Sequence, residues 1–285
     1  MGNDYLEFII SAEPGLEEAV IAFLSEIEAI ESFTEEKGYV HAFAKADALK
    51  AETVRNCLQE NLPDIHFSID AVLHAGKNWN EEWEKNYPPV EVGNFCQVIP
   101  GFLQPKPGFQ YTVRIEPKMS FGTGHHNTTQ LMIGWCAETD FKGKSMLDMG
   151  CGTGVLGILA MKLGVTSADF IDIDEICVEN SLENIALNRD ESTQNIPVTV
   201  EKGGAEIIKK GAYDIIFANI QRNVLIRDGL AYREALKPGG IIALSGFFDF
   251  DEELIASKYR ELGFTPLQRK EAGGWMLLVF KLSEA

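Results

Sequence analysis

Met146-Leu147-Asp148-Met149-Gly150-Cys151-Gly152-Thr153-Gly154 reads as an apolar strand running into a glycine-rich turn, with a helical pattern over 155–163 directly after it. Glycines at alternate positions let a backbone turn sharply and approach a ligand closely. Asp172 stands 22 residues beyond Gly150, at the end of the next expected strand, 168–173. A carboxylate there can hold two ribose hydroxyls. A glycine-rich turn with a downstream acid, set between strand and helix, points to a nucleoside cofactor. A loop without a ligand is the plainer alternative.

Outward from this turn, strand and helix alternate. A helix is expected over 128–138 before the turn. After it come a helix over 176–188, strands over 198–201 and 213–219, a helix over 224–236 and a strand over 240–245. Such alternation predicts an α/β fold with a doubly wound, mainly parallel, Rossmann-like sheet. The switch-point rule then brings Asn219, closing the strand 213–219, over the same crevice as Gly150 and Gly152. Its carbonyl can accept a hydrogen bond from an amine there; an ordinary turn residue is the alternative.

The first 73 residues carry a different pattern. Residues 5–11 alternate as a strand, and Leu16, Val20, Phe23, Leu24 and Ile27 recur at helical spacing. A hairpin follows, with strands 29–34 and 39–43 about the turn Glu35-Glu36-Lys37-Gly38. Asp47 is a candidate cap for a helix reaching Leu58, and 65–73 forms a last strand. The order βαββαβ is that of a small α+β, ferredoxin-like domain. Residues 74–90 read as a linker with a helical segment, in which Trp79 and Trp83 share one face. A second domain is expected over 91–285, opening with a short antiparallel prelude over 91–117.

Two cofactor classes compete for the glycine-rich turn. Gly152-Thr153-Gly154-Val155-Leu156-Gly157 matches the dinucleotide fingerprint, so an NAD-dependent dehydrogenase must be weighed. Asp148 tips the balance, because a pyrophosphate would bring negative charge close to its carboxylate. S-adenosylmethionine brings a sulfonium and an ammonium instead. The segment Ser120-Phe121-Gly122-Thr123-Gly124-His125-His126-Asn127-Thr128-Thr129 reads either as a loop folded over a ligand or as a plain start to a helix. Asn127 and Gln130 there have the spacing of a capping box.

Composition narrows the class. The chain of 285 residues has a formal net charge of −18, and residues 1–72 carry 15 Asp and Glu against 4 Lys and Arg. An acidic surface disfavours a nucleic acid held by its backbone and suits a basic protein; solubility alone is the bland reading. Five spread cysteines without zinc spacing predict reduced thiols, no metal and a cytoplasmic setting. Apolar runs such as 275–280 are too short to span a bilayer, and no signal peptide is expected.

With these residues in view, the chain resembles the methyltransferases of ribosomal protein L11. The run from Phe121 to Thr129 is similar to that family's F-G-T-G-x-H-P-T-T loop. The likeness continues through Asp148–Leu156, Ile171-Asp172-Ile173-Asp174 and Ala218-Asn219-Ile220, and Trp79-Asn80-Glu81-Glu82-Trp83 resembles the family's approach to its catalytic domain. The resemblance implies S-adenosylmethionine as cofactor, with Thr129, Gly150, Asp172 and Asn219 contacting it. It also implies methylation of lysine and N-terminal amines of ribosomal protein L11, with residues 1–73 recognising the substrate, and the chain is expected to act as a monomer. Two departures stand out. Asn127 replaces the family's proline, and Ile220-Gln221 replaces the two prolines that follow Asn in other amino-group methyltransferases. An RNA base or a small molecule is the alternative amine. A non-catalytic ribosome-assembly partner is a further alternative.

Overall fold

The computed structural model describes residues 5–11, 16–25, 27, 29–36, 38–63, 65–74, 88–116, 118 and 121–284. Two compact units divide the chain, Met1–Tyr87 and Pro88–Ala285. The Trp79 and Trp83 reading lies outside the described residues.

The first unit contains β1 (Tyr5–Ser11), α1 (Glu17–Leu24), β2 (Ile30–Glu36), β3 (Tyr39–Lys45), α2 (Ala51–Asn61) and β4 (Ser68–His74). Its sheet order is β2-β3-β1-β4, antiparallel throughout, as the ferredoxin-like plan requires. Alternation along the strands buries Phe8, Ile10, Val40, Ala42 and Ala44 against Val20, Leu24, Val54 and Leu58 of the two helices. Asp47 does not cap α2. The chain first makes a turn in which the Ala48 N–H reaches the Lys45 carbonyl, and the helix is capped at Lys50 without a side-chain bond.

The second unit opens with β5 (Val90–Val92), β6 (Cys96–Pro100) and β7 (Tyr111–Ile115). β5 and β6 are antiparallel, whereas β6 and β7 run parallel, which corrects the all-antiparallel expectation. The reason is the connection over 101–110. It carries the chain back along the sheet instead of closing a hairpin, and Gln110 and Tyr111 donate to the Asn94 and Phe95 carbonyls.

The main sheet follows α3 (Asn127–Cys136). It is built from β8 (Ser145–Met149), α4 (Val155–Lys162), β9 (Ser167–Asp172), α5 (Glu175–Leu187), β10 (Val198–Lys202), β11 (Tyr213–Asn219), α6 (Arg222–Ala235), β12 (Leu236–Phe248), α7 (Glu252–Glu261), β13 (Phe264–Ala272) and β14 (Trp275–Leu282). Strand order is β10-β9-β8-β11-β12-β14-β13. The first five strands are parallel, and β14 pairs antiparallel with both β12 and β13.

Every residue of β8 is buried, as expected of a central parallel strand covered on both faces. Neighbouring residues therefore feed two different cores. Met146, Ile215 and Phe217 face α3, α4 and α5, while Leu147, Ile216 and Ala218 face α6 and α7. Phe217 is fixed by edge-on contact with Trp135, with ring centroids 5.9 Å apart. Such a pair contributes about 1 kcal/mol beyond its area burial. This packing holds the carboxyl ends of β8, β9 and β11 side by side.

Candidate active site

The turn after β8 is shaped by contacts within the protein. Gly150 and Gly152 have φ of 67° and 55°, the left-handed region that favours glycine. A Cβ on Gly152 would lie 2.2 Å from the Phe121 carbonyl oxygen, and one on Gly150 would lie 2.3 Å from Ile220 Cγ2. Gly152 is thus required by the close approach of the 121–126 loop. Gly157 has the role of a third fingerprint glycine, since a Cβ there would strike the Phe170 ring at 2.2 Å.

Asp172 closes β9 and points back at this turn. Its Oδ2 accepts the Gly152 N–H at 2.9 Å, and its Oδ1 accepts the Asp174 N–H at 3.0 Å. Each oxygen keeps a further lone pair for a hydroxyl donor. The next residue, Ile173, is 74% exposed, an apolar side chain uncovered at the carboxyl end of the sheet.

The 121–126 loop is stitched onto the turn rather than hanging free. Thr153 donates its N–H to the Phe121 carbonyl at 2.9 Å and its hydroxyl to the Gly122 carbonyl at 2.7 Å. The loop delivers α3, whose cap is His126: Nδ1 accepts the Thr128 N–H at 3.3 Å. Asn127 is the first helical residue, so the expected Asn127–Gln130 capping box does not form. Gln130 instead donates to the His125 carbonyl at 3.0 Å.

One turn into α3, Thr129 is fully buried and meets Asn219. The Asn219 Nδ2 donates to Thr129 Oγ1 at 3.5 Å. The Asn219 Oδ1 is buried and has no hydrogen-bond partner among the described residues. An unpaired buried amide oxygen costs roughly 1–3 kcal/mol, so it marks a place where a donor is expected.

Beyond Asn219 the rim is aromatic. Phe121 lies 5.4 Å from the His126 ring, His126 lies 4.5 Å from Trp275, and Trp275 lies 4.0 Å from Phe248. These rings come from a loop, a helix cap and two strands, and their sequence spacing gives no hint of the cluster.

Behind the turn, α5 presents a second group that sequence reasoning missed. Asn180, Asn184 and Asn188 recur every four residues along one helix face. The Asn188 Oδ1 accepts the Arg114 N–H at 2.9 Å, and the Asn184 Oδ1 accepts the Glu116 N–H at 2.6 Å. Asn180 donates to the Glu116 carbonyl at 3.1 Å, and Asn184 donates to the Thr153 carbonyl at 2.9 Å. Amide side chains thereby satisfy the outer edge of β7 and tie it to the glycine-rich turn.

Asp148 is buried beneath the turn and accepts the Gly157 N–H at 2.9 Å, satisfying an otherwise free donor in the first turn of α4. Burial pushes its carboxyl up to about 7; the Gly157 bond opposes this and the neighbouring Asp172 charge adds to it. No Lys or Arg occurs between Ser145 and Met161, so the turn offers no cation to a pyrophosphate.

Four of the five expected residues, Gly150, Gly152, Asp172 and Asn219, therefore gather at the carboxyl ends of adjacent strands. Thr129 reaches Asn219 from α3. The sequence profile of the family described as ribosomal protein L11 methyltransferase (PrmA) matches residues 9–283. The ribosomal protein L11 methyltransferase of Phocaeicola vulgatus is 39% identical over 282 residues, spanning 97% of this chain and 98% of that protein. Its counterpart from Bacteroides thetaiotaomicron is 38% identical, spanning 97% of this chain and 99% of that protein. Among solved structures, the ribosomal protein L11 methylase from Lactobacillus delbrueckii subsp. bulgaricus gives a TM-score of 0.62 at 25% identity, covering 70% of this chain and 99% of that one. Agreement over nearly the whole length joins the glycine-rich turn, the 121–129 segment and the N-terminal unit in one relationship: the chain belongs to the ribosomal protein L11 methyltransferase family.

Proposed function

We propose that the protein transfers methyl groups from S-adenosylmethionine to amines of ribosomal protein L11, both lysine side chains and the N-terminal amine. The observation that carries this reading is the buried, unpartnered Oδ1 of Asn219. It lies beside the glycine-rich turn in the strand order, with Phe248 and Trp275 of the aromatic rim one and two strands further on.

The donor set fits this cofactor. When bound, S-adenosylmethionine supplies a methyl group on a positively charged sulfur. In our reading Asp172 accepts from the ribose hydroxyls, Ile173 covers one face of the base, and Gly150 and Gly152 keep the backbone close. Thr129 holds the Asn219 amide by its Nδ2 and so aims Oδ1 at the incoming amine.

A lysine must lose its proton before its nitrogen can attack. At pH 7 about one lysine in 2,500 is neutral, a difference of roughly 4.6 kcal/mol. An α-amine begins two to three pH units closer to neutrality. Desolvation at the carboxyl end of the sheet favours the neutral amine. Asn219 then orients it by accepting one N–H, leaving the nitrogen lone pair for in-line attack.

The acidic N-terminal unit is the dock for the basic substrate in this account, supported by its excess of 15 acidic over 4 basic residues in 1–72. The same charge weighs against a nucleic-acid substrate. The active form in this account is a monomer. Five free cysteines are in keeping with a reducing cytoplasm. No helix among the described residues is long and apolar enough to cross a membrane.

The test is the intact mass of the organism's own ribosomal protein L11 after incubation with the enzyme and S-adenosylmethionine. Mass gains in steps of one methyl are expected. Unchanged mass, with cofactor binding demonstrated, would contradict the substrate.

A further inference from the structure

The strand order lays the site out in a line. Asp172 on β9 and the glycine-rich turn on β8 form one half, Asn219 on β11 is the middle, and β12 and β14 form the other half. If the cofactor takes the β9–β8 half, the amine must reach Asn219 over the ends of β12 and β14. Those ends carry an uncovered aromatic strip. Phe248 and Phe250 stack with centroids 5.2 Å apart and planes 20° from parallel, and Phe248 rests on Trp275 at 4.0 Å.

The strip is open to solvent. Phe250 is 75% exposed and Phe248 is 38% exposed. Between them Asp249 is also exposed, and it makes no ion pair among the described residues. Its Oδ1 accepts the Phe250 N–H at 2.8 Å, which holds the carboxylate beside the rings. The neighbouring acids are already paired, Asp251 with Arg222 and Glu252 with Arg269. Two stacked aromatic faces suit the methylene stem of a lysine, and the carboxylate beside them attracts its ammonium as the side chain approaches.

Reach agrees with this. Adjacent strands lie about 4.8 Å apart, so β12 and β14 stand about 5 and 10 Å from β11. A lysine side chain extends about 6 Å from Cα to Nζ. The register pairs Asn219 with Ser245, three residues before Phe248, so a stem leading outward from Asn219 runs along the last residues of β12 towards Phe248.

We propose that Phe248, Asp249 and Phe250 form the lysine-selecting strip of the enzyme, holding the stem of the target lysine while its nitrogen lies at Asn219. This rests on the methyltransferase reading of that residue. An N-terminal α-amine has no methylene stem and gains little from the strip. The strip therefore sets the ratio of ε-amine to α-amine methylation.

The experiment compares wild type, Phe250→Ala and Phe250→Leu with S-adenosylmethionine and ribosomal protein L11, mapping methylated positions by peptide mass spectrometry over time. Cofactor affinity is measured on the same samples. Phe250→Ala is expected to slow ε-amine methylation about tenfold and α-amine methylation less than twofold, with cofactor affinity unchanged. Phe250→Leu keeps apolar contact without an aromatic face and is expected to fall between. An unchanged ε-to-α ratio in Phe250→Ala overturns the strip, as does a parallel loss of cofactor affinity. Wild type that methylates nothing overturns the proposed function together with the strip resting on it.

Discussion

The Asn219 amide donates through Nδ2 to Thr129 Oγ1 at 3.5 Å, while its Oδ1 is buried without a partner among the described residues. One half of the amide is thus engaged by α3 and the other is left for a ligand. Thr129→Val preserves shape and removes the hydroxyl, freeing the amide to rotate. Turnover should fall about tenfold, which corresponds to roughly 1.4 kcal/mol of transition-state stabilisation. Steady-state rates on ribosomal protein L11 check this, and a rate equal to wild type would show that Thr129 does not orient Asn219.

Asp172 has a different job, because both of its oxygens brace backbone. Removing it frees the N–H groups of Gly152 and Asp174 and deletes the proposed ribose contact. Asp172→Ala is expected to weaken S-adenosylmethionine binding about 100-fold, and Asp172→Asn about tenfold, since the amide keeps one acceptor oxygen. Isothermal titration with the cofactor decides it. Wild-type affinity in the alanine variant would remove Asp172 from the cofactor site.

The central part of this fold was legible in the sequence because its signals are local. The glycine-rich turn, the buried strand before it and the acid 22 residues on all depend on near neighbours along the chain. The C-terminal hairpin was not legible. β13 is an edge strand carrying Pro266 at a register shift and a run of charged residues, features that protect an edge and hide the strand pattern. β14 shows only as a short apolar run. The partners that complete the site are remote in sequence: Phe121 over Gly152, Thr129 under Asn219, and His126 against Trp275. Side-chain spacing also misassigned the cap of α3, because a histidine ring took the place of the asparagine next to it.

Asp148 gives a prediction in pH. Its folded-state value of about 7 lies above the ordinary 3.8, so folding favours the protonated form. This contribution to stability is fully present below about pH 4 and is lost as pH rises through 7, a change of at most roughly 4 kcal/mol. Asp148→Asn has no such titration and keeps an acceptor for the Gly157 N–H. Urea unfolding at pH 4.5 and pH 8 should show the variant gaining on wild type at the higher pH. Parallel pH dependences would contradict the burial argument.

The asparagine row on α5 makes a stability prediction with a functional side. Asn184→Leu leaves the Glu116 N–H and the Thr153 carbonyl unpaired, at a cost of about 3 kcal/mol. A fall in Tm of about 6–12 °C is expected, with weaker cofactor binding because the turn loses its tie to β7. Asn184→Asp keeps the acceptor for Glu116 and should fall between. Thermal unfolding with and without cofactor reads both effects, and an unchanged Tm in the leucine variant would contradict the role of the row.

The most direct test of the account is single-turnover methyl transfer to ribosomal protein L11 by wild type and Asn219→Ala, each preloaded with S-adenosylmethionine. The account predicts a transfer rate lower by about 100-fold in the variant, with cofactor affinity changed less than tenfold and the fold intact. Equal transfer rates from the two preloaded enzymes would contradict the placing of the amine at Asn219.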